Sequence, residues 1–191
     1  MAAAEQRHRN ELNDANDRVA RQIKYEWYRE QARAVASIWD AVGRSMEPIS
    51  RLAQVIEELI AVSGANPMTH PACHKARNAV SETYVVWRFQ LLEVLTVITT
   101  AEMLIDEKSK LAEQIDSLKG RVQRHIQDGM AFKNAAMKNA GGAGAAGFMK
   151  DINEFLELRE PMTREVRKLL ASTTNTPRPE TAGAVSTTSS K

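Results

Sequence analysis

Three residues at the start of a predicted helix, His70, Cys73 and His74, have side chains that can bind a metal ion. Imidazoles and thiolates are the usual ligands of zinc, and a structural zinc site needs four of them. The sequence supplies no second cluster, since the other histidines are His8 and His125 and Cys73 is the only cysteine. We therefore predict no metal site, and we interpret this stretch as an ordinary helix start.

A glycine pattern at residues 142–147 matches G-x-G-x-x-G. In dinucleotide-binding folds this pattern follows a β-strand and brings backbone amides against a pyrophosphate. The preceding residues, 119–140, are rich in Lys, Asn, Ala and Gln and predict no strand. We interpret residues 141–147 as a Gly/Ala hinge and predict no cofactor.

Catalytic patterns are equally weak. Cys73 and His74 are adjacent, and neighbours on a helix point about 100° apart, so they do not form a nucleophile–base pair. Adjacent carboxylates such as Glu57 and Glu58 fall on polar helix faces, where solvated charge is the usual role. We predict no catalytic residues and no enzyme activity or small-molecule substrate.

One stretch is basic enough to contact an anionic partner. A helix carrying these residues could lie against phosphates or anionic lipid, although a solubilising face is the simpler interpretation. Trp27 is a further candidate for a partner or membrane contact. The basic residues are Lys119, Arg121, Arg124, Lys133 and Lys138.

The composition is that of an ordinary globular protein. The 191 residues are 26% charged and 43% apolar, with a formal net charge of +2, which is too small to imply nucleic acid. The most apolar segment, residues 84–105, carries Arg88, Glu93 and Glu102, so we predict a buried helix and no transmembrane span. The N-terminus lacks the apolar core of a signal peptide. We expect a cytoplasmic location or a place within a macromolecular assembly.

The strongest signal is an apolar heptad seam on the first predicted helix, residues 4–62. Steps of three and four residues keep one stripe on one side of a helix. Continued backwards, the seam meets Arg21, Arg18, Asp14 and Glu11, so we expect no buried face before Tyr25. Pro48 keeps the seam in phase and predicts a kink. The seam is Tyr25, Tyr28, Ala32, Val35, Trp39, Val42, Met46, Ile49, Ala53, Ile56 and Ile60.

A second helix is predicted over residues 71–139. Gly64 and Pro67 end the first helix, Thr69 or His70 caps the second, and the short connection predicts an antiparallel hairpin. Nearly every face between Tyr84 and Ile98 is apolar, so this segment is expected at the centre of the fold or of an oligomer. Its seam includes Trp87, Leu91, Val94 and Ile98.

A third helix is predicted over residues 148–171, bent or split by Pro161, and the Ser/Thr-rich residues 172–191 predict a disordered tail. We expect one all-α domain over residues 1–171, an elongated, coiled-coil-like antiparallel hairpin with a shorter third helix. The expected function is a structural or scaffold subunit that forms homo-oligomers or binds a helical partner through both seams. The alternative is an amphipathic helical protein that binds anionic membrane or nucleic acid.

Overall fold

The computed structural model describes residues 2–138 and 153–174. This part of the chain forms helices and no strands: α1 (Ala2–Ala65), α2 (Pro71–Glu102), α3 (Lys110–Met137) and α4 (Arg159–Thr174). A short helical segment, residues 153–157, precedes α4. The all-α prediction is confirmed. The Gly/Ala hinge at 141–147, the first residues of the predicted third helix and the tail from residue 175 lie outside the described residues.

The antiparallel hairpin of α1 and α2 is confirmed. His70 is the N-cap of α2, because its Nδ1 accepts the backbone N–H of Ala72 at 3.2 Å, and Pro71 follows in the first turn. In the connection the N–H of His70 donates to the Pro67 carbonyl at 2.8 Å. Farther along the pair, Arg44 of α1 binds Glu93 of α2 at 2.9 Å, which fixes the opposite directions of the two helices.

The prediction of one helix over residues 71–139 is wrong, because the chain turns back between Glu102 and Lys110. Asp106 accepts the backbone N–H of Lys108 at 3.0 Å, and Ser109 caps α3 by accepting the N–H of Ala112 at 3.1 Å. Such short polar side chains offer backbone amides a partner outside the helix ladder, so they favour a turn here. The helices α2 and α3 therefore form a second hairpin.

The predicted third helix is split, as expected from its proline. The segment 153–157 is followed by a turn at Leu158, and α4 begins at Arg159. Pro161 therefore lies in the first turn of α4, where a missing N–H costs little. By contrast α1 continues through Pro48 in its interior, in agreement with the unbroken seam.

All four helices contribute to the core, and α1 contacts each of the other three. Buried apolar side chains come from every helix and from the short segment before α4, so packing against neighbours, rather than helix propensity alone, stabilises the bundle. On α1 the core begins at Gln31, which is 3% exposed. Residues 4–27, called here the N-terminal extension, are exposed throughout and project about 36 Å beyond the bundle.

Candidate interaction surfaces

The two predicted seams meet each other inside one chain. Eight of the thirteen seam residues proposed for partner contact are at most 4% exposed: Val35, Val42, Ile49, Ile56, Trp87, Leu91, Val94 and Ile98. Tyr28, Trp39 and Met46 are partly buried. Only Tyr25 and Ile60, at the two ends of the α1 seam, are exposed. The seams thus build the hairpin, which corrects the expectation that they form the surface for a second molecule.

A different face of α2 remains apolar and exposed. Val85 and Phe89 are 66% and 68% exposed, and Val86, Leu92 and Met103 are also exposed. With 100° per residue, Val85, Phe89 and Leu92 lie on one side of the helix, opposite the side that carries Trp87 and Leu91. The apolar segment between Tyr84 and Ile98 thus supplies both the core and a surface. We call this surface the α2 outer face.

Three threonines extend the α2 outer face toward Met103. The hydroxyl groups of Thr96, Thr99 and Thr100 donate to the carbonyl groups four residues earlier, at 2.9–3.0 Å. A hydroxyl bound to its own helix backbone leaves the methyl group as the outward feature. The face therefore continues for about 27 Å along α2 with no charged residue on its central line.

The N-terminal extension carries an apolar stripe that sequence reasoning missed. Leu12, Val19, Ile23 and Trp27 are each 45–63% exposed, and they lie within about 80° of the helix circumference. The seam drawn backwards from Tyr25 follows the opposite side of the helix. The spacing of seven, four and four residues is visible in the sequence and could have revealed this stripe.

Most of the candidate anionic-surface residues already have partners. Lys119 binds Glu102 at 2.7 Å, Arg121 donates to the Glu154 carbonyl and lies 3.7 Å from the Glu157 carboxylate, and the Lys133 ammonium sits 4.5 Å from the centre of the Tyr84 ring. Their charges therefore hold α2, α3 and the segment before α4 together. Arg124 and Lys138 are exposed.

The cluster at the start of α2 has a structural role. The Nδ1 atom of His70 is engaged in the cap, and Cys73 is fully buried with its Sγ 3.9 Å from the Val62 carbonyl oxygen. His74 is exposed. In residues 2–138 and 153–174 no group of three metal-binding side chains comes together.

His125 is the one titratable side chain in the described core whose pKa is strongly displaced. It is 1% exposed, with its ring centre 6.0 Å from that of Trp87 and 5.2 Å from that of Phe155. Removal from water lowers the pKa of His125 from 6.5 to about 4, so the ring is neutral at physiological pH. Its surroundings are apolar and enclosed, which favours a packing role over proton transfer with a solvent-borne substrate.

A groove of about 680 Å³ runs between α1 and α4, lined by Val35, Trp39, Arg44, Arg159 and Val166 among others. Of its two arginines, Arg44 is already paired with Asp40 and Glu93. Both carboxylates raise the pKa of Arg44 further, so this side chain stays a cation and stabilises the α1–α2 pair.

Within the described residues, no helix combines the length and the apolar character needed to cross a bilayer. Comparison with protein-family models, with curated proteins and with solved structures finds no match for this chain.

Proposed function

We propose that this protein is a non-enzymatic structural subunit that self-associates through the α2 outer face. The observation that supports this proposal most strongly is the exposure of Val85, Phe89 and Leu92 on the most apolar helix of the bundle. A contiguous apolar patch on a soluble domain marks an interaction surface more often than scattered apolar residues do.

The chemistry of the α2 outer face suits another helix. Its apolar side chains recur at steps of four and three residues, which is the spacing that packs helix against helix. It offers no carboxylate, imidazole or thiol along its central line, so it has no groups for catalysis. The same face on a second copy supplies a matching apolar surface, and two copies related by a two-fold axis would bury both faces together.

The experiment is light scattering coupled to size-exclusion chromatography over a range of protein concentrations and two salt concentrations. We expect a defined oligomer that persists at high salt, because burial of apolar surface is not screened by ions. Phe89→Glu places a charge at the centre of the face in both copies and should weaken association by about 100-fold or more.

Met130→Glu is the matched control. Met130 is an apolar residue of α3 that is 48% exposed and lies away from the α2 outer face. The same introduction of a negative charge at Met130 should therefore leave association unaltered. A wild-type protein that remains monomeric at about 100 μM, equivalent to a dissociation free energy below roughly 5.5 kcal/mol, would contradict the proposal. Equal effects of the two substitutions would contradict the assignment to this face.

A further inference from the structure

Met103 is the most exposed large apolar side chain of the described residues, at 78%. It is the C-cap residue of α2 and keeps helical backbone angles, with φ −69° and ψ −19°. Along the helix it lies about five turns beyond Val85 and on the same line as Val85. The α2 outer face therefore ends in a thioether that is open to solvent.

The other sulfur atoms of the described residues are less accessible. Met130 of α3 is 48% exposed, whereas Met162 of α4 is fully buried. Three more methionines are partly buried: Met46, Met68 and Met137. Cys73, the only cysteine of the sequence, is fully buried. Because the oxidation of sulfur follows its exposure, Met103 is the side chain that a small oxidant should modify first.

We propose that Met103 is a reversible oxidation site that regulates self-association through the α2 outer face. This regulation rests on the proposed function, because it acts on the same surface. The oxidant is a peroxide, with hydrogen peroxide as the simplest case. The Met103 sulfur bonds to one peroxide oxygen as the O–O bond breaks, and the proton of the transferred oxygen passes to the leaving hydroxide. The products are methionine sulfoxide and water, so the sulfur loses the two electrons that the peroxide gains.

The sulfoxide changes the chemistry of the α2 outer face. A thioether is apolar and flexible and suits a contact between helices, whereas a sulfoxide carries a polar oxygen. When a second copy covers the face, this oxygen loses its hydrogen bonds to water. The nearby hydroxyl groups of Thr99 and Thr100 already donate to carbonyl groups of α2, so they are engaged elsewhere. Burial of a polar atom without a new partner opposes association.

Association should in turn protect Met103 from oxidation. A second copy on the α2 outer face removes the thioether from solvent, so peroxide acts on the free subunit. The rate of Met103 oxidation should therefore decrease as the protein concentration rises through the dissociation constant. In Phe89→Glu, which should not associate through this face, the rate should stay high at every protein concentration.

The test treats the full-length protein with hydrogen peroxide, stops the reaction with catalase and measures sulfoxide at each methionine by mass spectrometry of peptides. In Phe89→Glu, Met103 should be oxidised faster than Met130, and Met162 should remain reduced. Light scattering of the treated wild-type protein should give a dissociation constant raised by about tenfold or more. Treatment with methionine sulfoxide reductases for both sulfoxide epimers should restore association.

Substitutions at Met103 separate its oxidation from other effects of peroxide. Met103→Leu keeps an apolar side chain of similar size without sulfur, so association should persist and become insensitive to peroxide. Met103→Gln introduces a polar group of similar length and should weaken association without peroxide. Met130→Leu is the matched control on α3, and it should leave the effect of peroxide unchanged.

Three results would overturn this regulation alone. Oxidation of Met103 no faster than that of Met130 in Phe89→Glu would contradict the accessibility of its sulfur. An unchanged dissociation constant after complete conversion of Met103 to the sulfoxide would show that association does not depend on this residue. Loss of association in peroxide-treated Met103→Leu would assign the effect to another residue. A wild-type protein that is monomeric before treatment would instead contradict the proposed function, and the regulation with it, so the two failures are distinguishable.

Discussion

Protonation of His125 should destabilise the protein as the pH falls. His125 lies on α3 and is enclosed by Trp87 of α2 and Phe155 of the segment before α4. Burial lowers its pKa from 6.5 to about 4, because the charged imidazolium loses its hydration there. Replacement by leucine keeps an apolar side chain of similar size and removes the titration.

The sign and size of the effect follow from proton linkage. The unfolded chain binds a proton at His125 below about pH 6.5, and the folded chain does so only below about pH 4, so stability decreases as the pH falls through this window. The full difference of about 2.5 pKa units corresponds to roughly 3 kcal/mol. Between about pH 7.5 and pH 5 the loss should be about 2 kcal/mol.

Urea unfolding followed by circular dichroism at both pH values measures this loss. The wild-type protein should lose about 2 kcal/mol more than His125→Leu, because the carboxylates titrate equally in both proteins. His74→Leu changes an exposed histidine and should behave like the wild type. Equal losses in the wild type and His125→Leu would refute the reasoning.

A second measurement does not depend on the variant's folding. In the wild-type protein the imidazole signals of His125 in a nuclear magnetic resonance titration should remain those of the neutral ring at about pH 5. A signal that moves with a midpoint near pH 6.5 would show that His125 is accessible to water in the folded protein.

Three further experiments test the bundle. Trp87→Ala should destabilise the fold by about 3–5 kcal/mol in urea unfolding, since it leaves a cavity at a fully buried site; a change below about 1 kcal/mol would contradict this packing. Ser109→Ala should cost about 1 kcal/mol through loss of the α3 cap, whereas Ser117→Ala, at an exposed site within α3, should not destabilise; equal effects would argue against the cap. A double-mutant cycle of Lys119→Met and Glu102→Gln should give a coupling of roughly 1 kcal/mol, and additive effects would show that the ion pair contributes nothing.

Local patterns predicted the helix ends well where the cap residues were strong. His70 and Pro71 begin α2 as expected, and Pro161 separates α4 from the short segment before it. The turn between α2 and α3 was missed, although Asp106 and Ser109 stood in the sequence. The heptad pattern continued on both sides of the turn, from Ile105 to Leu111, because both ends of the turn remain buried in the same core. Periodicity alone does not distinguish one long helix from two helices that share a core.

The heptad seam did not predict which apolar face of each helix is buried and which is exposed. The residues expected to contact a partner, such as Trp87 and Leu91, are buried by the protein's own helices, whereas Phe89 and Leu92 two and one positions away are exposed. Both sets have helical spacing, and spacing carries no information about what covers each side. On the N-terminal extension, extrapolation from Tyr25 selected the charged side and overlooked the stripe of Leu12, Val19 and Ile23.

The sequence by itself determined the all-α class, the first hairpin and the apolar character of α2, because helix propensity, caps and heptad spacing are local properties of the chain. The tertiary structure alone decided which apolar face is core and which is surface, and it decided that the basic residues Lys119, Arg121 and Lys133 hold the bundle together. It also decided the neutrality of His125. These properties depend on contacts between residues far apart in the sequence. Burial and electrostatics are set by those contacts, which local sequence patterns do not predict.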